Sequence, residues 1–347
     1  MNLEDITFLG EYYGRWEDYK KVIGKGAMGT AYIVDDFYVD KVTKIGQVEF
    51  PENISGDLKY LGEGQITIGN QRIDISGVEL IFLHAVSEYD VLQKIRGCRN
   101  VVQIYPYFSI GSPLFGIDDN SLYSIVRTSY VEGNTIETTG SLGKNLTLKE
   151  IAQITIDIAD ALEDLGNLDV VHHDIKPENI IYDKERKKAT LIDFGLAYSN
   201  SKLKSEFLTS NLQRLLEKRE KMERGITYGT PPFFSPEHIN EKKITPQSDV
   251  FSFGLSLVDL LSRISIGSEL RECSEYMKMY EELDRKGELI EDLSYFMNDS
   301  KFDCTLLEGI ESALHEDPKQ RDIAFLRDSA RNYLKPSWGQ RIISKLF

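Results

Sequence analysis

The stretch Val171-His172-His173-Asp174-Ile175-Lys176-Pro177-Glu178-Asn179, followed by Asp193-Phe194-Gly195, gathers two acids, a lysine and an amide in one short run of chain. One carboxylate can take a proton from a hydroxyl. The other carboxylate and the amide supply hard oxygen donors of the kind that hold magnesium against a nucleoside triphosphate. Taken singly these residues have bland readings, and His172 in particular reads as a structural histidine. Their order and spacing together are what carry the chemistry.

The pattern H-x-D-x-K-x-x-N followed by D-F-G resembles the phosphoryl-transfer core of the protein kinases. The resemblance implies that Asp174 is the catalytic base. It implies that Lys176 neutralises charge on the transferring group, that Asn179 and Asp193 hold Mg2+, and that Ile181 floors the adenine pocket. His173 departs from the pattern, because the family commonly has an arginine there that receives a phosphate on the activation segment. The departure predicts activity that does not strictly require phosphorylation of that segment.

Upstream, Ile23-Gly24-Lys25-Gly26-Ala27-Met28-Gly29 supplies G-x-G-x-x-G between two strand-like runs. Glycines alone often only make turns. A position between two strands fits a phosphate-covering loop and argues against a Rossmann site, which joins a strand to a helix. Ala31 stands where the family usually has valine. Lys41 in Tyr38-Val39-Asp40-Lys41 is similar to the family's strand lysine, and alternation puts Val39 and Lys41 on one face. Lys44 is a rival, displaced to the other face by its odd offset. The bland reading of a strand lysine is a solvated edge residue.

Glu88 matches the helix glutamate that pairs with that lysine, and Asp90 is its rival; the bland reading is a surface acid. Between Lys41 and Glu88 the chain carries an insert at about 45–84, long against the short connections of compact domains. The resemblance makes Thr128 a gatekeeper and Ser129, Tyr130 and Val131 the hinge, with backbone groups of Tyr130 and Val131 facing adenine. The bland alternative is an ordinary interlobe strand.

Downstream, Gly229-Thr230-Pro231-Pro232-Phe233-Phe234-Ser235-Pro236-Glu237 resembles the end of a kinase activation segment. Glu237 is expected to pair with Arg321, and Asp249 to brace the catalytic-loop backbone. Lys176 with Thr230 points to the serine/threonine branch. These elements set the chain apart from small-molecule kinases of the aminoglycoside type. Ser205–Arg224 reads as an amphipathic helix inserted in the segment. Packing on the large lobe is the favoured reading; a gate or docking element is the sharper one.

The fold class these readings imply is α+β, a bilobal kinase-like fold with a small β-rich lobe and a larger helical lobe. The expected domains are an N-terminal extension at 1–18, an N-lobe at 19–131 and a C-lobe at 132–347. The activation segment spans 193–237 and its helical insert about 203–224. Strands are expected in Tyr19–Val34, Phe37–Val42, Val101–Ile110 and Leu122–Thr128, with a hairpin about Gly69-Asn70. Helices are expected from Ser87 to Ile95, after the capping box Thr147-Leu148-Lys149-Glu150, and from Ser248 to Ile264.

Composition agrees with a folded protein: of 347 residues, 41% are hydrophobic and 28% charged. A net charge of −15 disfavours a nucleic-acid partner. No run is long and apolar enough to span a bilayer; Val78–Val86 comes nearest. The acidic start, Met1-Asn2-Leu3-Glu4-Asp5, lacks signal-peptide regions. Cys98, Cys273 and Cys304 form no CxxC pair, so a disulfide or zinc site is not expected. The expected setting is cytoplasmic, which leaves open delivery into another cell by a specialised secretion system. The sequence is silent on oligomeric state.

The leading function is therefore an ATP- and Mg2+-dependent protein serine/threonine kinase acting on a protein Ser/Thr hydroxyl. The alternatives are a pseudokinase scaffold and a kinase fold that transfers AMP.

Overall fold

Alternation sets Val39, Lys41 and Thr43 against Asp40, Val42 and Lys44, so Tyr38–Gln47 is a strand with two chemically distinct faces. The computed structural model describes residues 7–8, 21–26, 29–34, 36–47, 56–62, 65–68, 71–77, 79–111, 121–137, 146–199, 228–241, 243–265 and 304–335. These fall into two compact units. One draws on Met1–Gly97, Val102–Val131 and Asp193–Thr227; the other draws on Cys98–Val101, Glu132–Ile192 and Tyr228–Phe347.

The first unit is built on a sheet of strands β1 (Thr7–Phe8), β2 (Lys21–Gly26), β3 (Gly29–Ile33), β4 (Tyr38–Gln47), β5 (Gly56–Gly62), β6 (Gln65–Ile68), β7 (Gln71–Asp74), β8 (Ile104–Gly111) and β9 (Ser121–Ser129). Their spatial order is β2-β3-β4-β9-β8-β1-β5-β6-β7. The hairpin expected about Gly69-Asn70 is β6–β7, with Ile66 opposite Ile73. The insert thus adds strands to the sheet. β1 joins them to the rest by running parallel to β8 and antiparallel to β5.

Helix α1 (Glu79–Lys94) follows β7 and starts eight residues before the expected Ser87. Phe82, Leu83, Val86, Tyr89 and Leu92 are all buried. The apolar run Val78–Val86 is therefore mostly helix. Its nearly continuous hydrophobicity hides the 3.6-residue period that would have revealed it.

On the face of β4 away from Lys41, Asp40 is fully buried and receives a two-pronged bond from Arg127, at 2.7 Å to each oxygen. The two residues are directly opposite across β4 and β9. A planar guanidinium matches a carboxylate in this way, which offsets the cost of burying the acid.

In the second unit, α2 (Leu148–Asn167) begins with the expected capping box. Thr147 N–H donates to Glu150 Oε2 at 2.7 Å, and Glu150 N–H donates to Thr147 Oγ1 at 3.2 Å. Ile151, Ile154, Ile158, Leu162 and Leu165 form its buried face. Three short strands, β10 (Asn134–Thr135), β12 (Ile180–Asp183) and β13 (Lys188–Leu191), form an antiparallel sheet, and β11 (Val170–Val171) leads into the stretch that carries Asp174. Helices α3 (Pro236–Glu241), α4 (Pro246–Ser265), α5 (Cys304–Ala313) and α6 (Ile323–Leu334) complete the unit. The expected insert helix at 203–224 lies outside the described residues, as does the extension 1–18 apart from β1. None of the described helices is long and apolar enough to cross a membrane.

Helices α5 and α6 meet where Gly309 faces Ser329 and Leu326. A Cβ on Gly309 would lie 2.8 Å from Ser329 Cβ and 3.0 Å from the Leu326 backbone. Backbone cannot swing aside as a side-chain tip can. Gly309→Ala should therefore destabilise the chain by about 1–3 kcal/mol from overpacking, more than the roughly 1 kcal/mol that alanine adds in helix propensity. Thermal unfolding of the variant checks this, with a midpoint a few degrees below wild type expected.

Candidate active site

Two groups of the sequence-predicted residues come together, one in each unit. In the first unit, the Lys41 ammonium donates to Glu88 Oε1 at 2.9 Å and to Asp193 Oδ1 at 2.7 Å. Lys41 and Glu88 are largely buried, and Asp193 is half-exposed. Burial works to lower the Lys41 pKa, but the two carboxylates outweigh it and the net shift is upward. The lysine is a fixed cation at any physiological pH.

Register explains which residues share that face. Ala31 lies directly across from Lys41 on β3, Val126 lies across from Lys41 on β9, and Thr128 lies across from Val39. Directly opposed residues project to the same side of a sheet. Ala31, Val39, Lys41 and Thr128 are thus on one face, as their expected roles require. Lys44 instead holds its ammonium 5.7 Å from the Tyr123 ring centroid. The rival acid Asp90 is pushed up to about 6 by burial, with Lys94 opposing the shift.

Gly24 and Gly26 end β2 and Gly29 begins β3, with Gly26 paired to Gly29. Ile23 is 46% exposed beside them. The loop tip, residues 27–28, lies outside the described residues. At the hinge, Ser129 N–H donates to Gln103 O at 2.8 Å and Tyr130 N–H donates to Phe37 O at 2.7 Å. The Tyr130 N–H was expected to face adenine. It is already committed, because the neighbouring chain at Phe37 satisfies it.

In the second unit, Asp174 is the centre of a tight polar cluster. Thr230 Oγ1 donates to Asp174 Oδ1 at 2.7 Å. The Lys176 ammonium lies 2.8 Å from Asp174 Oδ2 and donates to Thr230 Oγ1 at 2.8 Å. The Asn179 amide donates to the Asp174 carbonyl at 2.8 Å and to Asp174 Oδ2 at 3.1 Å. With its NH2 engaged twice, Asn179 keeps its carbonyl oxygen as the atom that can meet a cation. Ile181 is half-buried on β12 between Thr135 and Thr190.

The loop is held from below. Asp249, on α4, accepts the N–H groups of His172 at 2.6 Å and His173 at 2.9 Å. Burial pushes Asp249 up to about 7 even though those two bonds pull the other way; the nearby Asp174 charge adds to the rise. His172 is fully buried. Its Nδ1 accepts the Asp174 N–H at 3.3 Å and its Nε2 faces the Ile192 carbonyl at 3.0 Å. An N–H can only donate and a carbonyl can only accept, so the ring is neutral with its proton on Nε2. His173 has φ +72° and Asp193 has φ +61°, a conformation rarely adopted by residues with a Cβ. Gly229 (φ +101°) passes so close to the His173 carbonyl that a Cβ there would lie 2.9 Å from it.

The expected Glu237–Arg321 pair is present and buried. Arg321 donates to the two Glu237 oxygens at 2.8 and 2.9 Å and to the carbonyls of Gln247, His315 and Glu316. Ser248 Oγ adds a bond to Glu237 at 2.7 Å. Burial would raise the Glu237 pKa, but Arg321 and Ser248 overcome it and hold the carboxyl at about 2. Sequence reading missed Ser248. It also missed His238, whose ring centroid lies 5.1 Å from that of His173 and 3.9 Å from that of Phe234, tilted to both. Neither lies in a pattern that signals its role.

A family model described as a protein kinase domain matches residues 73–333. The chain is 28% identical over 207 residues to calmodulin-binding receptor-like cytoplasmic kinase 3 of Arabidopsis thaliana, covering 58% of this chain and 35% of that one. It is 24% identical over 245 residues to serine/threonine-protein kinase PknD of Protochlamydia amoebophila, covering 70% of this chain and 22% of that one. A protein kinase and PP2C-like domain-containing protein of Oryza sativa subsp. japonica is 32% identical over 127 residues, 37% of this chain and 19% of its own length. The chain thus spans about a third or less of these relatives.

Removing Arg321 would leave Glu237 buried without its cation, so Arg321→Met should cost about 3–5 kcal/mol in urea unfolding. The pH dependence has a definite sign. Because folding depresses the Glu237 pKa from 4.5 to about 2, its stabilising contribution is complete above 4.5 and is lost as pH falls towards 2. Glu237→Gln should flatten the decline of stability measured across that window.

Proposed function

Because the chain belongs to the protein kinase family, we propose that it is an ATP- and Mg2+-dependent protein serine/threonine kinase. The observation that carries this reading is the cluster of Lys176, Asn179 and Thr230 around Asp174. In the proposed reaction the acceptor Ser or Thr oxygen attacks the γ-phosphorus of ATP. The bond from that phosphorus to the β–γ bridging oxygen breaks, ADP leaves, and the hydroxyl proton passes to Asp174.

Each residue has a task set by its surroundings. Thr230 and Asn179 hold the Asp174 carboxylate in one orientation, so that its oxygens are presented rather than free to rotate. Lys176, already beside Asp174, supplies positive charge for the transferring group. Lys41, fixed by Glu88, offers its ammonium to phosphate oxygens. Asn179 and Asp193 are oxygen donors of the type Mg2+ prefers, and would hold it. When bound, the ion would neutralise charge on the phosphates. Ala31, Val39, Thr128 and Ile181 supply apolar contact for the base. Gly24, Gly26 and Gly29 leave room for backbone N–H groups near the phosphates. The Ser129 carbonyl and the Val131 backbone are the hinge groups proposed to meet the adenine edge, since the N–H groups of Ser129 and Tyr130 are both engaged elsewhere.

Lys176 and Thr230 support a serine or threonine acceptor. A protein substrate follows from the family and from the Glu237 and Asp249 framework around the segment end. The cytoplasm is the compartment proposed.

Incubation with γ-labelled and α-labelled ATP tests the assignment. Label should reach protein from the γ position alone, and Asp174→Asn should reduce transfer by about 10²-fold or more while thermal unfolding stays near wild type. Transfer from the α position would mean AMP transfer, and no transfer from either would mean a scaffold. His173 presents an imidazole tilted against that of His238 where the family commonly has a guanidinium. Phosphatase-treated protein is therefore expected to keep most of its activity; an inactive product would contradict this.

A further inference from the structure

Helix α1 meets the chain after Asp193 at two places six residues apart. One is the bridge from Glu88 through Lys41 to Asp193. The other is a bond from the Lys94 ammonium to Ser199 Oγ at 2.5 Å, in the last turn of the helix. Six residues separate Glu88 from Lys94, and six separate Asp193 from Ser199. The stretch between the ties is packed: Phe194 and Ala197 are buried, and the Ala197 N–H donates to the Phe194 carbonyl at 3.0 Å.

We propose that Lys94 and Ser199 are positioning residues for phosphoryl transfer, forming a second tie that keeps Asp193 where Lys41 can bridge it to Glu88. This rests on the kinase reading and deepens it. Asp193 needs such help. Its φ of +61° is costly for a residue with a Cβ, and its side chain, which accepts from Lys41 and from the Gly195 N–H at 3.3 Å, is still 46% exposed. Without the Lys94 bond, the segment has more freedom to relax that backbone by pivoting. Fastened also at Ser199, it has both ends set against one rigid helix. A hydroxyl accepting from an ammonium is a charge-assisted bond, stronger than a neutral one.

Ser199 offers the cleaner test. Lys94 lies one turn from the buried acid Asp90 and opposes the rise in its pKa, so removing the lysine disturbs two groups. Ser199→Ala should lower kcat by about ten- to a hundredfold, the loss expected for one hydrogen bond to a charged group, while KM for ATP changes less. Ser199→Thr keeps the hydroxyl and should restore most of kcat. Adding Ser199→Ala to Lys94→Met should cost little beyond Lys94→Met alone.

Amide hydrogen exchange on the nucleotide-free chain gives a readout independent of catalysis. Ser199→Ala should speed exchange at residues 194–199 and leave α2 and α4 unchanged. Unchanged kcat and exchange in Ser199→Ala would overturn the proposal. So would a threonine variant no better than alanine, or faster exchange spread over the whole chain. If the wild type transfers no phosphate, the kinase reading fails, and the exchange comparison still decides whether the second tie exists.

Discussion

The ammonium of Lys41, held between Glu88 and Asp193, is the constraint on which the first unit is organised. A buried lysine would normally shed its charge, and here two acids hold it as a cation. Three distant parts of the chain must arrive together for this: the middle of β4, the middle of α1 and the residue that opens the Asp193-Phe194-Gly195 run. The sheet fixes the first through its register with β3 and β9. The buried face of α1 fixes the second. The third depends on a strained residue in an exposed position.

The second unit solves a related problem by different means. The stretch that carries Asp174 is a loop, yet it holds that side chain in one orientation. The backbone is pinned by Asp249 under His172 and His173, and by His172 bridging Asp174 and Ile192. The side chain is pinned by Thr230, Lys176 and Asn179. All these partners are polar groups in a partly dry site, where an unmet hydrogen bond is expensive and a met one is rigid. The positive φ at His173 is the strain that such a framework can sustain.

Much of this was readable from the chain, and the reason is the same in each case. Asp174, Lys176, Asn179 and Asp193 lie within a fixed local spacing, and the Thr147–Glu150 box is a four-residue signal. Lys41, chosen over Lys44, follows from strand periodicity, and Glu88, chosen over Asp90, from the resemblance to the family's helix glutamate. What escaped was set by tertiary neighbours. The start of α1 at Glu79 was hidden because its residues are apolar on most sides. The union of the insert with the sheet through Thr7–Phe8 depends on a two-residue strand with no pattern of its own. The Tyr130 N–H was assigned to a ligand because nothing local shows that Phe37 would claim it. Ser248, His238 and the Lys94–Ser199 bond are single contacts between distant residues, and no periodicity announces them.

The central question is whether the Lys41 cation acts on a phosphoryl group in transit. The most direct measurement is γ-phosphoryl transfer by Lys41→Met set beside its affinity for ADP. The expected result is a loss of transfer of about 10²-fold or more, with ADP binding reduced far less. Transfer at the wild-type rate by this variant would contradict the account, because the charge around which the first unit is arranged would then have no part in the reaction.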